Sequence, residues 1–128
     1  YGEVHVLDLT DTGGTRDAIR GARAWLQRSR PQDLAVVFAA GHGMVDAGRN
    51  YFFGTHDIDP DDPGAAGLPY ADFEALLDGI PALQKLLLLD TCFSGEIETD
   101  AAAPPASSAV TTVAAAADGR VSRRTFRA

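Results

Sequence analysis

At 128 residues the chain is long enough for one domain with its own core and short for two. Its 45% hydrophobic and 23% charged residues are the proportions of a soluble globular protein, and a net charge of −7 argues against a basic nucleic-acid-binding surface. A single cysteine excludes an intrachain disulfide, no apolar stretch approaches a membrane span and no signal-peptide pattern precedes the first predicted strand, so the expected compartment is the cytoplasm. The start at Tyr1, without a methionine, reads as an excised or processed piece.

In chain order, Val4, Val6, Leu7 and Leu9 predict a first strand ending in the turn Asp11-Thr12-Gly13-Gly14. Thr15 is placed to cap a helix in which Ile19, Ala22 and Leu26 recur at helical spacing beside Trp25, with Arg16, Arg20, Arg23 and Gln27 facing outward and Pro31 as a stop. Leu34 to Ala40 is continuously apolar, as expected of a strand covered on both faces, and it runs into Gly41-His42-Gly43. Met44-Val45 and Tyr51-Phe52-Phe53 flank a hairpin turn, Asp46 to Asn50. The acidic loop His56 to Gly64 follows, then a helix starting near Pro69 that packs Phe73, Leu76 and Leu77 inward and stops at Gly79. Lys85 to Asp90 is another buried strand and leads into Asp90-Thr91-Cys92-Phe93-Ser94-Gly95. Strands alternating with helices imply an α/β fold on a mostly parallel sheet. Residues 101–119, rich in Ala, Pro, Ser and Thr, read as a linker, and the basic tail from Arg120 as the start of another strand.

Ligands of open parallel sheets bind beyond the carboxyl ends of the strands, and His42 and Cys92 both fall there. A thiol needs a nearby base to present as thiolate, and an imidazole also protonates a leaving amine. The amides of Gly43 and Cys92 are candidates for an oxyanion hole. Taken singly, a cysteine after a strand is more often an inert small hydrophobe, and a histidine between glycines is more often structural. Their joint placement favours catalysis.

Gly41-His42-Gly43 and Asp90-Thr91-Cys92-Phe93-Ser94-Gly95 resemble the histidine and cysteine motifs of caspase-like cysteine peptidases, closest to the metacaspase and bacterial caspase-homologue (orthocaspase) branch. The separation of 50 residues between His42 and Cys92 matches the caspase pattern. The resemblance covers about Val4 to Glu96. It implies a caspase–haemoglobinase-like three-layer sandwich with Cys92 as nucleophile and His42 as general acid and base. Metacaspases carry Asp two residues before the cysteine, and that carboxylate helps bind Arg or Lys, so the resemblance implies that Asp90 selects basic residues at the cleavage site. A carboxylate suits a guanidinium partner; the alternative is that Asp90 only caps its turn.

By the same resemblance, residues 1–100 form a large-subunit catalytic core lacking the family's usual first strand, and residues 120–128 open the small-subunit portion. The remainder of the catalytic domain is then an expected partner, beside protein or peptide substrates. Self-cleavage, another family habit, makes Arg120, Arg123, Arg124 and Arg127 candidate sites, against the plainer reading of a basic strand edge. No cofactor is required, although some metacaspases are calcium-activated. Asp57, Asp59 and Asp61 alternate like the start of a calcium loop, but Asp62 and Leu68 stand where an EF-hand needs Gly and Glu, so a solvated acidic loop is favoured and no metal ligand is assigned. Two other functions compete with the peptidase: a non-catalytic caspase-like scaffold or signalling module, and another cysteine–histidine hydrolase or transferase. Ser94 is a weaker nucleophile candidate, since Gly-x-Ser-x-Gly is absent.

Overall fold

The computed structural model describes residues 2–92, 109–115 and 121–127. The chain is an α/β fold. Its main sheet has the strand order β1 (Leu34–Gly41), β5 (Gln84–Thr91), β6 (Ala109–Ala115), β7 (Val121–Arg127), parallel except for β7, which runs antiparallel to β6. A second, antiparallel sheet is made of β2 (Gly43–Val45), β3 (Tyr51–Phe53) and β4 (Leu68–Pro69). The helices are α1 (Arg16–Leu26), the single turn α2 (Pro63–Ala66) and α3 (Tyr70–Leu77). No helix among the described residues is long and apolar enough to cross a membrane.

The alternation of each strand sorts its side chains. Ala35, Val37 and Ala39 of β1 and Leu87 and Leu89 of β5 join the core with Leu26 of α1 and Phe73, Leu76 and Leu77 of α3. Leu87 and Leu89 are sealed from solvent, each worth about 1.5–3 kcal/mol by burial. The other face departs from expectation. Val36 and Phe38 stand 45% and 65% exposed, Leu86 and Leu88 are half-buried, and no helix among the described residues covers them. The strands predicted to be covered on both faces are covered on one by the described residues, which make two layers.

The first strand does not form. Residues 2–10 carry no regular structure, with Val4 and Val6 about 80% exposed, and no strand among the described residues offers them hydrogen-bond partners. The side of β1 away from β5 is likewise unpaired among the described residues. The linker reading is corrected in part: Ala109–Ala115, with its β-branched Val110-Thr111-Thr112-Val113, is strand β6. The predicted tail strand forms as β7.

Helix α1 starts where its caps put it. The Thr15 hydroxyl accepts from the Ala18 amide (3.3 Å), and Asp57, from the acidic loop, accepts from the Arg16 amide (3.2 Å). Three arginines expected to face solvent instead reach across to the α2–α3 segment. Arg16 donates to the Ala65 carbonyl (2.8 Å), Arg20 pairs with Asp72 (2.7 Å), and Arg23 donates to the carbonyls of Ala75 and Asp78 at the end of α3. A guanidinium there satisfies carbonyls that the helix leaves open, and Gly79, at φ +62°, turns the chain away.

Three carboxylates are held below their ordinary value of 3.8: Asp33 by the Arg30 amide and guanidinium, Asp46 by the Asn50 side chain and amide, and Asp57 by the Thr55 hydroxyl and the Arg16 amide. The Thr55 hydroxyl donates to the Ala66 carbonyl (3.0 Å), and the Arg16 amide donates to Asp57 (3.2 Å). Because each group is depressed, the unfolded chain takes up these protons first on acidification. The stability they contribute is complete above about pH 4 and drains away as pH falls through their folded values. Glu74, raised above 4.5 by burial, works weakly the other way. The melting temperature should therefore fall below about pH 4, less steeply in Asp57→Asn. A melting temperature that stays flat to about pH 3 would contradict this account.

Candidate active site

The ladder between β1 and β5 is parallel and in simple register, from Leu34 beside Gln84 to Gly41 beside Thr91. The next residue on each strand is His42 on one and Cys92 on the other. Adjacent strands lie about 4.8 Å apart, so the imidazole and the thiol leave neighbouring backbones at the same height of the sheet. Both residues are exposed and sit at the carboxyl ends of their strands.

The glycines around His42 are there for close approach. A β-carbon on Gly43 would overlap the Cys92 carbonyl oxygen and lie 3.1 Å from the Thr91 hydroxyl. One on Gly41 would lie 3.3 Å from the Phe53 ring, which itself stacks edge-on against Phe73 of α3 (centroids 5.6 Å, 83°). The His42 carbonyl accepts from the Gly54 amide at 2.7 Å, so the histidine main chain is gripped from the second sheet. The predicted hairpin forms as read. Asp46 accepts from the Asn50 amide (2.8 Å) and from its side-chain amide (2.9 Å), with Arg49 turning through φ +64°.

Asp90 lies beside Ala40 in the ladder and is exposed. Strand alternation puts it on the uncovered face with Leu86 and Leu88, two residues from Cys92. The oxyanion-hole candidates Gly43 and Cys92 have main chains in contact. Arg123, Arg124 and Arg127 are in β7, beside Val113, Thr112 and Ala109 of β6; Arg120 and Ser94 lie outside the described residues.

The acidic loop is tied to the fold rather than merely solvated. Asp57 caps α1, the His56 amide donates to the Gly14 carbonyl (2.9 Å), and Asp59 accepts from the Asp61 amide (3.0 Å). Among the described residues no three His, Cys, Asp or Glu side chains converge to hold a metal ion.

Sequence reading missed Tyr51. Its hydroxyl lies 2.6 Å from the Thr91 hydroxyl, and both residues are buried. Burial pushes the phenol up to about 12 against the lowering effect of the Thr91 bond, and the charge of the neighbouring Cys92 adds to the rise. The one signal available was a tyrosine at the head of a short predicted strand, which names no partner.

No family model, curated protein or solved structure matches the chain.

Proposed function

We propose that this chain is the catalytic core of a caspase-like cysteine endopeptidase that cleaves after Arg or Lys. The observation that carries the reading is the β1–β5 register, which ends one residue short of both His42 and Cys92. In the reaction, the Cys92 thiolate adds to the scissile carbonyl carbon, and the carbonyl π electrons move to oxygen. The amides of Gly43 and Cys92 receive that oxyanion. Collapse of the adduct breaks the C–N bond, and the amine leaves with the proton held by the His42 imidazolium. A water molecule, deprotonated by His42, then attacks the thioester; the carboxylate product departs and the thiol is restored.

Asp90 supplies the specificity. Its exposed carboxylate sits two residues from the nucleophile, on a face otherwise lined by leucines, where a substrate guanidinium would find a charge-assisted partner. The enclosing fold is proposed to be caspase–haemoglobinase-like, with a further layer over the uncovered face. Self-cleavage at Arg123, Arg124 or Arg127 would first require β7 to leave β6, since a scissile strand must be free to enter a cleft. No cofactor takes part in these steps.

The test is turnover of fluorogenic peptides bearing Arg, Lys or Asp at the cleavage position, with and without calcium. Arg and Lys substrates should be cleaved and Asp substrates spared. Asp90→Asn should cut kcat/KM for Arg substrates by about tenfold to a hundredfold, since a charged hydrogen-bond pair is worth about 1.5–3 kcal/mol. Preference for Asp, or an unchanged Asp90→Asn enzyme, would refute the selector role. The exposed apolar face favours a second reading, a non-catalytic docking module, and a wild-type chain inert toward all three peptides would select it.

A further inference from the structure

His42 and Cys92 lie one step beyond the last rung of the β1–β5 ladder, so the ladder alone does not hold them. A second tie crosses the gap. Tyr51 faces Val45 across the hairpin, and that hairpin begins at Gly43, next to His42. From β3 the Tyr51 hydroxyl reaches Thr91 at 2.6 Å, next to Cys92. The covalent chain from Gly41 through His42, Gly43, β2 and β3 to Tyr51, this one bond and the last rung between Gly41 and Thr91 close a ring, with Cys92 the next residue along from it. Gly43 packs into the middle of it, against the Thr91 hydroxyl and the Cys92 carbonyl, with no room for a β-carbon.

The pair is buried, with Tyr51 6% and Thr91 3% exposed, so water does not compete for the bond. The phenol, at about 12, is protonated and free to donate at neutral pH. An ordinary core tyrosine needs only a hydrogen-bond partner somewhere. Here the partner immediately precedes the nucleophile, and it belongs to the other sheet.

Resting on the peptidase reading, we propose that Tyr51 and Thr91 are positioning residues whose hydroxyl bridge holds the Cys92 thiol opposite His42. Neither touches substrate. They act by fixing the last rung of the ladder, the residue from which Cys92 continues, where a displacement of about 1 Å is enough to cost on the order of a hundredfold in rate.

The experiment uses the full chain and the variants Tyr51→Phe, Thr91→Val, Thr91→Ser and the double Tyr51→Phe/Thr91→Val. With an Arg peptide, Tyr51→Phe and Thr91→Val should each lower kcat by roughly tenfold to a hundredfold and leave KM within about twofold. The double variant should be no worse than the poorer single, because both remove one bond. Thr91→Ser should recover most of what Thr91→Val loses. Additive losses, or a folded Tyr51→Phe enzyme with wild-type kcat, would overturn the proposal.

A second readout does not depend on turnover. Cys92 is the only cysteine, so iodoacetamide reports it alone. In mildly acidic buffer the wild type should alkylate faster than His42→Ala, and Tyr51→Phe should fall between the two, severalfold or more below wild type. A wild type without turnover that still gives this pattern sinks the peptidase reading and keeps the bridge. A Tyr51→Phe variant that alkylates like wild type sinks the bridge.

Discussion

Cys92→Ala is expected to abolish peptide cleavage, with kcat lowered by on the order of 10⁴-fold or more, and His42→Ala should do the same. Residues that act as one unit lose their effect together, so the double variant should be no slower than the worse single. The melting temperature should barely move, since both side chains are exposed and neither belongs to the core. Progress curves on an Arg peptide, alongside thermal melts, separate the two quantities. If Cys92→Ala kept more than about one part in a hundred of wild-type turnover, the nucleophile would lie elsewhere, with Ser94 next to be replaced.

Gly43→Ala carries the second large effect, and it arises from a single methyl group. The added carbon would overlap the Cys92 carbonyl oxygen, which belongs to main chain and has no rotamer to escape into. Either β2 or the end of β5 must shift, at a cost of about 1–3 kcal/mol. In the proposed mechanism the shift falls on the backbone next to His42 and Cys92, so kcat should drop on the order of a hundredfold. Gly41→Ala is the matched control. Its new carbon meets the Phe53 ring at 3.3 Å, and a ring edge yields more easily than a carbonyl. The order of damage should be Gly43→Ala well above Gly41→Ala, in both melting temperature and rate. The reverse order would mean that the Gly43–Cys92 approach does not constrain the two strands.

The core strands were legible because buried parallel strands write themselves as unbroken apolar runs. Leu34 to Ala40 and Leu86 to Leu89 both proved to be strands, and the residues after them landed side by side. The same run could not say how many faces are covered. Leu86 and Leu87 look alike in sequence, yet one is half-buried and the other sealed, because coverage depends on what packs from elsewhere. Val4 to Leu9 has strand composition without a strand, since a ladder needs a neighbour as well as a propensity. The Ala and Pro content of 101–119 masked Val110 to Val113, whose β-branched run is the part that pairs. That His42 and Cys92 follow directly on neighbouring strands was readable from motif and spacing. Tyr51 was not, because its contact with Thr91 spans 40 residues and exists only through the meeting of two sheets.

The unpaired side of β1 has a consequence for handling the protein in solution. On the edge that is unpaired among the described residues, every second residue from Leu34 to Gly41 turns its amide and carbonyl outward, and the strand contains no proline and no charge to discourage a second molecule from stacking on. What keeps such edges apart is then long-range: the net charge of −7 makes every molecule repel its neighbours, over a reach set by the Debye length. Concentrated salt shortens that reach, and mild acid removes the charge itself. Both should turn a clear preparation cloudy through strand-on-strand growth while the domain is still folded, and a lysine in place of Val36 or Phe38 should keep it clear.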